Sequence, residues 1–374
     1  WNRGQLVGAA EMAESIRDRA LRRRMIQAGE DLRHAAHDVA RPAFDHLAQA
    51  ERGLGLMLAA SAPAERCLVD ARTAAIAAAH EIDAEAQAGR TRGMMTGLDC
   101  FDRRLGGLRP GWLVVLAGRP SMGKTALARS AAMAAARLNP DRTVVFFALE
   151  MDRRELSDRT LSELSHLDDP LAAIPYKDMR GEALGPASRA RLMALAEQAP
   201  ANMIIDDSPV LSVDYVRRRL HGLKRKGRLG LVVIDYLQIM QRPKADGRTE
   251  AGVIGEMTQG LKQVAREMGV CVLLLSQLNR GVEHRENKRP QLADLRDSGA
   301  IEQDANAVLF CYRDLYYLER ARPSDRAQLA GWQADCEAAR TRMEVLAMKV
   351  RGGEIGEDAV RYLAWVDHVE AGHD

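Results

Sequence analysis

The sequence predicts an α/β fold with a mostly parallel central sheet, preceded by an α-helical hairpin and a linker helix. Three observations predict it. From Thr96 onward, apolar runs of strand length alternate with helical segments, the pattern of a parallel sheet covered on both faces. Before Gly89 the apolar residues recur at helical spacing only. Between an apolar run at 112–117 and an Ala-rich segment at 126–138 without Gly or Pro lies Gly118-Arg-Pro-Ser121-Met-Gly123-Lys124-Thr125. Strand, Gly-x-x-x-x-Gly-Lys-Thr, helix is a phosphate-binding loop in its proper context.

The first helix is read over 5–39 from Met12, Ile16, Leu21, Met25, Leu32, Ala35 and Val39. Arg41-Pro42 interrupts it. A second helix follows, with Phe44, Leu47, Leu54 and Met57 expected to face inward. Ser61-Ala62-Pro63 reads as the capped start of a third, which stops at Gly89. Residues 89–95 read as a linker. Strands are then expected at 112–117, 143–149, 202–206, 229–235, 270–276, 307–312 and 343–350, and an exposed insertion with a short helix at 318–342.

Composition sets bounds. A net charge of +2 predicts no partner by bulk charge, so any nucleic-acid surface must be local. Only eight of the 54 basic residues are lysine, a skew that suits a GC-rich coding bias and makes Lys124, Lys262 and Lys349 informative. The five cysteines form no Cys-x-x-Cys, which points to a reducing compartment and argues against structural zinc. No signal peptide or membrane-length apolar run is seen, so a cytoplasmic protein without a membrane partner is expected. The sequence opens on Trp1 rather than Met, as a fragment or trimmed chain would.

The residue types in the loop dictate its chemistry. Gly118 and Gly123 let backbone N–H groups, with that of Ser121, close around a polyphosphate at a helix N-terminus. Lys124 reaches the outer phosphates, and Thr125 offers its hydroxyl to Mg²⁺. The competing reading, a glycine turn with a surface lysine, is disfavoured by the flanks. The apolar run 231–235 ends in Asp235, placed to support the metal that Thr125 binds. The run 144–150 ends in Glu150, suited to orient or deprotonate water, although a capping or salt-bridged Glu gives the same pattern. The run 270–277 ends in Gln277, an amide able to sense a terminal phosphate. The basic run 217–228 reads as the solvated face of a helix in preference to a DNA surface.

These residues carry a resemblance. The phosphate loop, Ala-Leu-Glu-Met (148–151), Val-Ile-Asp-Tyr-Leu-Gln-Ile-Met (233–240), Leu-Ser-Gln-Leu-Asn-Arg (275–280) and Asp-Leu-Arg-Asp-Ser-Gly-Ala-Ile-Glu-Gln-Asp-Ala (294–305) resemble, in order and spacing, the replicative DNA helicases of the DnaB family. The resemblance implies a RecA-like P-loop ATPase domain over 96–374, after a linker helix and linker at 61–95 and a hairpin at 1–60 left from the family's N-terminal domain. The globular helical subdomain expected before that hairpin is absent from the sequence. It further implies ATP and Mg²⁺ as cofactors and a homohexamer moving 5′-to-3′ on single-stranded DNA. Primase and a helicase loader are implied as partners. The family's Lys-x-Arg falls on Lys349 and Arg351, with Arg351 the finger offered to a neighbouring subunit's site. Arg296, Asp297 and Gly299 are implied to hold DNA phosphates, with Arg280 and the 285–289 stretch beside them. Two other readings remain: a recombination or repair ATPase that does not unwind, and a non-catalytic scaffold that binds DNA or a loader.

Overall fold

The computed structural model describes residues 3–61, 69–87, 92–179, 184–243, 249–295 and 298–372. The chain forms two compact units, Trp1–Ala84 and Glu85–Asp374.

The first unit contains α1 (Arg3–His37), α2 (Ala43–Ser61) and most of α3 (Ala71–Gln87). Helix α1 packs along α2 across the turn at Arg41-Pro42. The inward face expected for α2 is not found: Phe44 is 78% exposed and Leu47 59%. Among the described residues of this unit two helices share one seam, and apolar side chains off that seam stay in solvent. Helix α3 also starts later than read. Helix α2 runs through Ser61, and Asp70 caps α3 by accepting from the Thr73 amide at 3.0 Å and its hydroxyl at 2.7 Å. Residues 62–68, which include the expected start, lie outside the described residues.

Among the described residues the second unit is built on nine strands: β1 (Leu113–Gly118), β2 (Thr143–Ala148), β3 (Met203–Asp206), β4 (Leu229–Asp235), β5 (Cys271–Gln277), β6 (Ala307–Tyr312), β7 (Arg342–Val350), β8 (Gly356–Leu363) and β9 (His368–Ala371). Their order is β3-β2-β4-β5-β1-β6-β7-β8-β9, parallel through β6 and antiparallel beyond. The helices are α4 (Asp99–Leu105), α5 (Lys124–Leu138), α6 (Arg153–Asp168), α7 (Pro186–Ala196), α8 (Val213–Lys224), α9 (Glu250–Met268), α10 (Ser298–Asp304), α11 (Asp314–Leu318) and α12 (Leu329–Ala338).

Strand alternation builds two cores. Val114 and Leu116 of β1, with Leu231 and Val233 of β4, face α5 and α4. Leu113, Val115, Val232 and Ile234 face α8 and α9. The alanines of α5 let it lie close on the sheet, and within that helix Arg129 is fully buried, paired with Glu163 and Asp367. Antiparallel β8 and β9 went unread in the sequence. The signal of β8 is alternation only: Asp358, Val360 and Tyr362 are buried while Glu357, Ala359 and Arg361 are exposed. Arg103 and Arg104 of α4 each meet the Asp358 carboxylate at 2.6 Å, which explains a buried acid in that row.

Candidate active site

The carboxyl ends of β1, β2, β4 and β5 open onto one crevice of about 660 Å³. Ser121, Gly123, Lys124, Thr125, Glu150 and Gln277 all line it. Gly123 has φ +81, the left-handed backbone that favours glycine, and a Cβ there would also push on the flexible tip of Met343 at 2.5 Å. Ser121 takes φ +65 without being glycine. At Gly118 a Cβ would sit 3.1 Å from the Cys311 carbonyl oxygen. Lys124 opens α5 and donates to the Arg119 carbonyl at 3.4 Å. Burial lowers its pKa, so its charge is held where a ligand anion would be needed to offset desolvation.

Thr125 Oγ1 donates to Asp235 Oδ2 at 2.8 Å, although 110 positions separate them. The other Asp235 oxygen is buried without a partner. A carboxylate with one spare oxygen beside a hydroxyl suits a hydrated Mg²⁺, so these residues fit the ion. Burial, with Glu150 adding like charge, raises the Asp235 pKa to about 6. Between the ordinary carboxylate value and 6, the folded chain therefore binds a proton that the unfolded chain lacks, and stability falls as pH rises through that window. Asp235→Asn should thus stabilise the nucleotide-free protein by about 2–3 kcal/mol at neutral pH, and hardly at all near pH ~4. Thermal melts at the two pH values check this; equal gains at both would contradict it.

The site also uses residues not singled out from the sequence. Arg313, directly after β6, lies 4.8 Å over the Tyr362 ring and donates to the Ser121 carbonyl at 3.3 Å. Burial lowers its pKa. It stands at a strand's carboxyl end, the same signal that marks Glu150 and Gln277. Arg159 pairs with Asp367 at 3.1 Å and lies 4.8 Å over Tyr176. Tyr362, Trp365 and Asp367 come from the unread β8 and β9 and their turn.

Lys349 and Arg351 stand elsewhere. Strand β7 runs against β6, with Val350 opposite Ala307 and Glu344 opposite Tyr312. Ala307 in turn aligns with Val114, near the start of β1. The pair therefore lies at the edge where the parallel strands begin, and the phosphate loop lies where they end, roughly 15–20 Å away along the strands. There Lys349 donates to the Glu302 carbonyl and Arg351 to that of Gln303 at 3.2 Å. Lys262 joins them, its pKa brought to about 8 by burial and by the neighbouring Arg266 and Arg351.

Of the residues expected to meet DNA, Arg296 and Asp297 lie outside the described residues. Gly299 is exposed in the first turn of α10, with no atom within 4 Å of a Cβ placed there. Arg280 is exposed just beyond Gln277, beside a crevice of about 440 Å³. Arg285 and Arg289 are committed within the chain, to Asp294 at 2.7 Å and to Glu344 and Glu357. The basic run of α8 is likewise paired, Arg217 with Asp214 and Glu267, and Arg219 with Asp206.

Residues 93–370 match the family described as DnaB-like helicase C terminal domain. The chain belongs to this family. The replicative DNA helicase DnaB of Rickettsia bellii (strain RML369-C) is 39% identical over 285 residues, which cover 72% of this chain and 56% of that protein. The same-named protein of Pasteurella multocida (strain Pm70) is 40% identical over 63% of this chain and 50% of its own length. The chain thus spans about half the length of the curated relatives it matches. Among solved structures, one described as an ATPase domain superposes with TM-score 0.68 at 30% identity, covering 81% of this chain and 99% of that domain. A DnaB-like replicative helicase, described with its interactions with primase, gives TM-score 0.74 at 26% identity over 97% and 78% of the two chains. The likeness carries the RecA-like assignment of the DnaB-family sheet, and no described helix is long and apolar enough to cross a membrane.

Proposed function

We propose that this chain is the motor of a replicative DNA helicase of the cytoplasm: an ATPase that assembles as a hexameric ring and moves 5′-to-3′ on single-stranded DNA. Lys124 and the loop from Gly118 to Thr125 hold the phosphates. Thr125 and Asp235 hold Mg²⁺, which supplies charge neutralisation at the phosphates. Glu150 orients and deprotonates the attacking water.

The observation that carries this reading is the placement of Lys349 and Arg351. The crevice gathers a phosphate grip, a metal seat and a carboxylate, while the Lys-x-Arg pair sits on the sheet's far edge. A subunit cannot bring its own Arg351 to its own crevice, but a head-to-tail neighbour can. Arg351 then completes the next site in the ring with Lys349 as its companion. On the DNA side, Leu278 pairs with Leu295, which places Gln277 one residue from a bridge to the segment leading into Arg296. Gln277 is thereby suited to report the terminal phosphate to Arg296, Asp297 and Gly299, with Arg280 beside them on the DNA backbone. The described residues of the hairpin at 1–60 and linker at 61–95 include exposed apolar side chains suited to neighbouring copies, to primase and to a loader.

Strand displacement on forked duplexes tests the reading. ATP-dependent displacement that requires a 5′ single-stranded arm is expected. ATP hydrolysis stimulated by DNA without displacement would favour a recombination-type ATPase, and absence of hydrolysis a scaffold.

A further inference from the structure

Among the described residues, one group of side chains converges closely enough to share a metal ion: His166, His368 and Glu370, whose ligand atoms all lie within 4.8 Å of one another. His166 is in the last turn of α6. His368 and Glu370 are alternate residues of β9, so both leave the same face of the strand. Glu370 Oε2 is 3.7 Å from His368 Nε2 and 3.9 Å from His166 Nε2. The other Glu370 oxygen accepts from Arg361 at 2.6 Å, which aims the free oxygen at the two rings.

Around His368 the surroundings are arranged as a ligand shell would need. His368 Nδ1 lies 2.9 Å from Glu163 Oε1, and Arg129 holds the second Glu163 oxygen. With Arg129 on its other oxygen, Glu163 is placed to accept from His368 Nδ1, which turns the lone pair of Nε2 toward Glu370 and His166. A carboxylate behind an imidazole is the usual support of a histidine ligand. His166 is 8% exposed, its Nδ1 is buried without a partner, and its Nε2 is beyond hydrogen-bond distance of Glu370.

We propose that His166, His368 and Glu370 form a Zn²⁺ site that ties the end of α6 to β9. Tetrahedral zinc, with bonds of about 2.0–2.1 Å, sets its ligand atoms roughly 3.4 Å apart. Glu370 stands 3.7 and 3.9 Å from the two rings and all three ligand atoms lie within 4.8 Å of one another, so binding would draw the side chains together. Two imidazoles and one carboxylate suit zinc and disfavour Mg²⁺ and Ca²⁺, which take oxygen. Water fills the fourth position on the side of Glu370, whose side chain is 31% exposed. The site uses no cysteine, and His166 lies far in the sequence from His368 and Glu370, which is why cysteine spacing argued against zinc. The ion would brace the crevice wall: Asp367 precedes His368 and lines the crevice, and the Trp365 ring stands edge-on to His166 at 6.1 Å.

The full chain, stripped with chelator and reloaded with ZnCl₂, should retain about one zinc after gel filtration and melt at a higher temperature. Cobalt in its place should give the visible bands of a tetrahedral ion. His166→Ala and Glu370→Gln should each weaken zinc binding by more than about tenfold and abolish the cobalt bands. Glu370→Gln keeps side-chain volume on the accessible side, so its melt in chelator reports whether the fold survives independently of metal. Zinc retention or cobalt bands unchanged in either variant would overturn the site, as would failure of the parent chain to retain zinc.

Discussion

Lys124→Ala should lower ATP turnover about a thousandfold or more, a loss of at least ~4 kcal/mol of transition-state stabilisation. The ammonium sits at the head of α5, in the crevice where β1 ends. It is the group there whose charge falls where negative charge accumulates on the transferred phosphoryl. Its pKa is lowered by burial before any ligand arrives, so the empty protein carries a desolvation cost that the variant escapes. The variant should therefore melt no lower than the parent while losing phosphate release and nucleotide affinity together. Phosphate-release assays beside a thermal melt separate this from unfolding. Turnover equal to the parent's would remove Lys124 from the chemistry, and with it the phosphate-loop reading.

The part of the fold that holds this lysine was legible in the sequence. Runs of β-branched and aliphatic residues, buried on both faces, have no polar alternation to blur their ends, and β4 and β6 fall where the apolar pattern puts them. β1 and β5 are displaced by one residue because Trp112 and Val270 precede the ladder while Gly118 and Gln277 still pair within it. The rule that function gathers at strand carboxyl ends located Glu150, Asp235 and Gln277. Applied once more, after Tyr312, it would have found Arg313.

Three things were hidden for physical reasons. β8 and β9 carry charges on their open face and so lack an apolar run. Arg129 resembles the solvated residue of any Ala-rich helix, because its partners Glu163 and Asp367 are 34 and 238 positions away. On α2, the sequence pattern specifies an apolar stripe but not what covers it, and among the described residues of its own unit Phe44 stays largely uncovered.

Arg351→Ala should lower turnover by about a thousandfold or more, comparable to removing an arginine finger, while leaving nucleotide binding near the parent's. The split follows from position. Arg351 lies at the opposite edge of the sheet from Lys124 and Thr125, so its loss leaves the phosphate grip intact. Glu150→Gln should be equally inactive for a different reason, having lost the base but kept its own Arg351. Mixing the two inactive proteins then discriminates between sharing and self-sufficiency. In a randomly mixed ring, about a quarter of the junctions join an intact Glu150 crevice to an intact Arg351 from the next subunit, the head-to-tail geometry making each junction independent in composition. Turnover should return toward that fraction and follow the mixing ratio, highest at equal amounts. If Arg351 served its own subunit, no mixture would contain a complete site and activity would stay at the level of the separate variants. That outcome would leave the far edge of the sheet, with Lys262, Lys349 and Arg351 clustered there, without a part in hydrolysis.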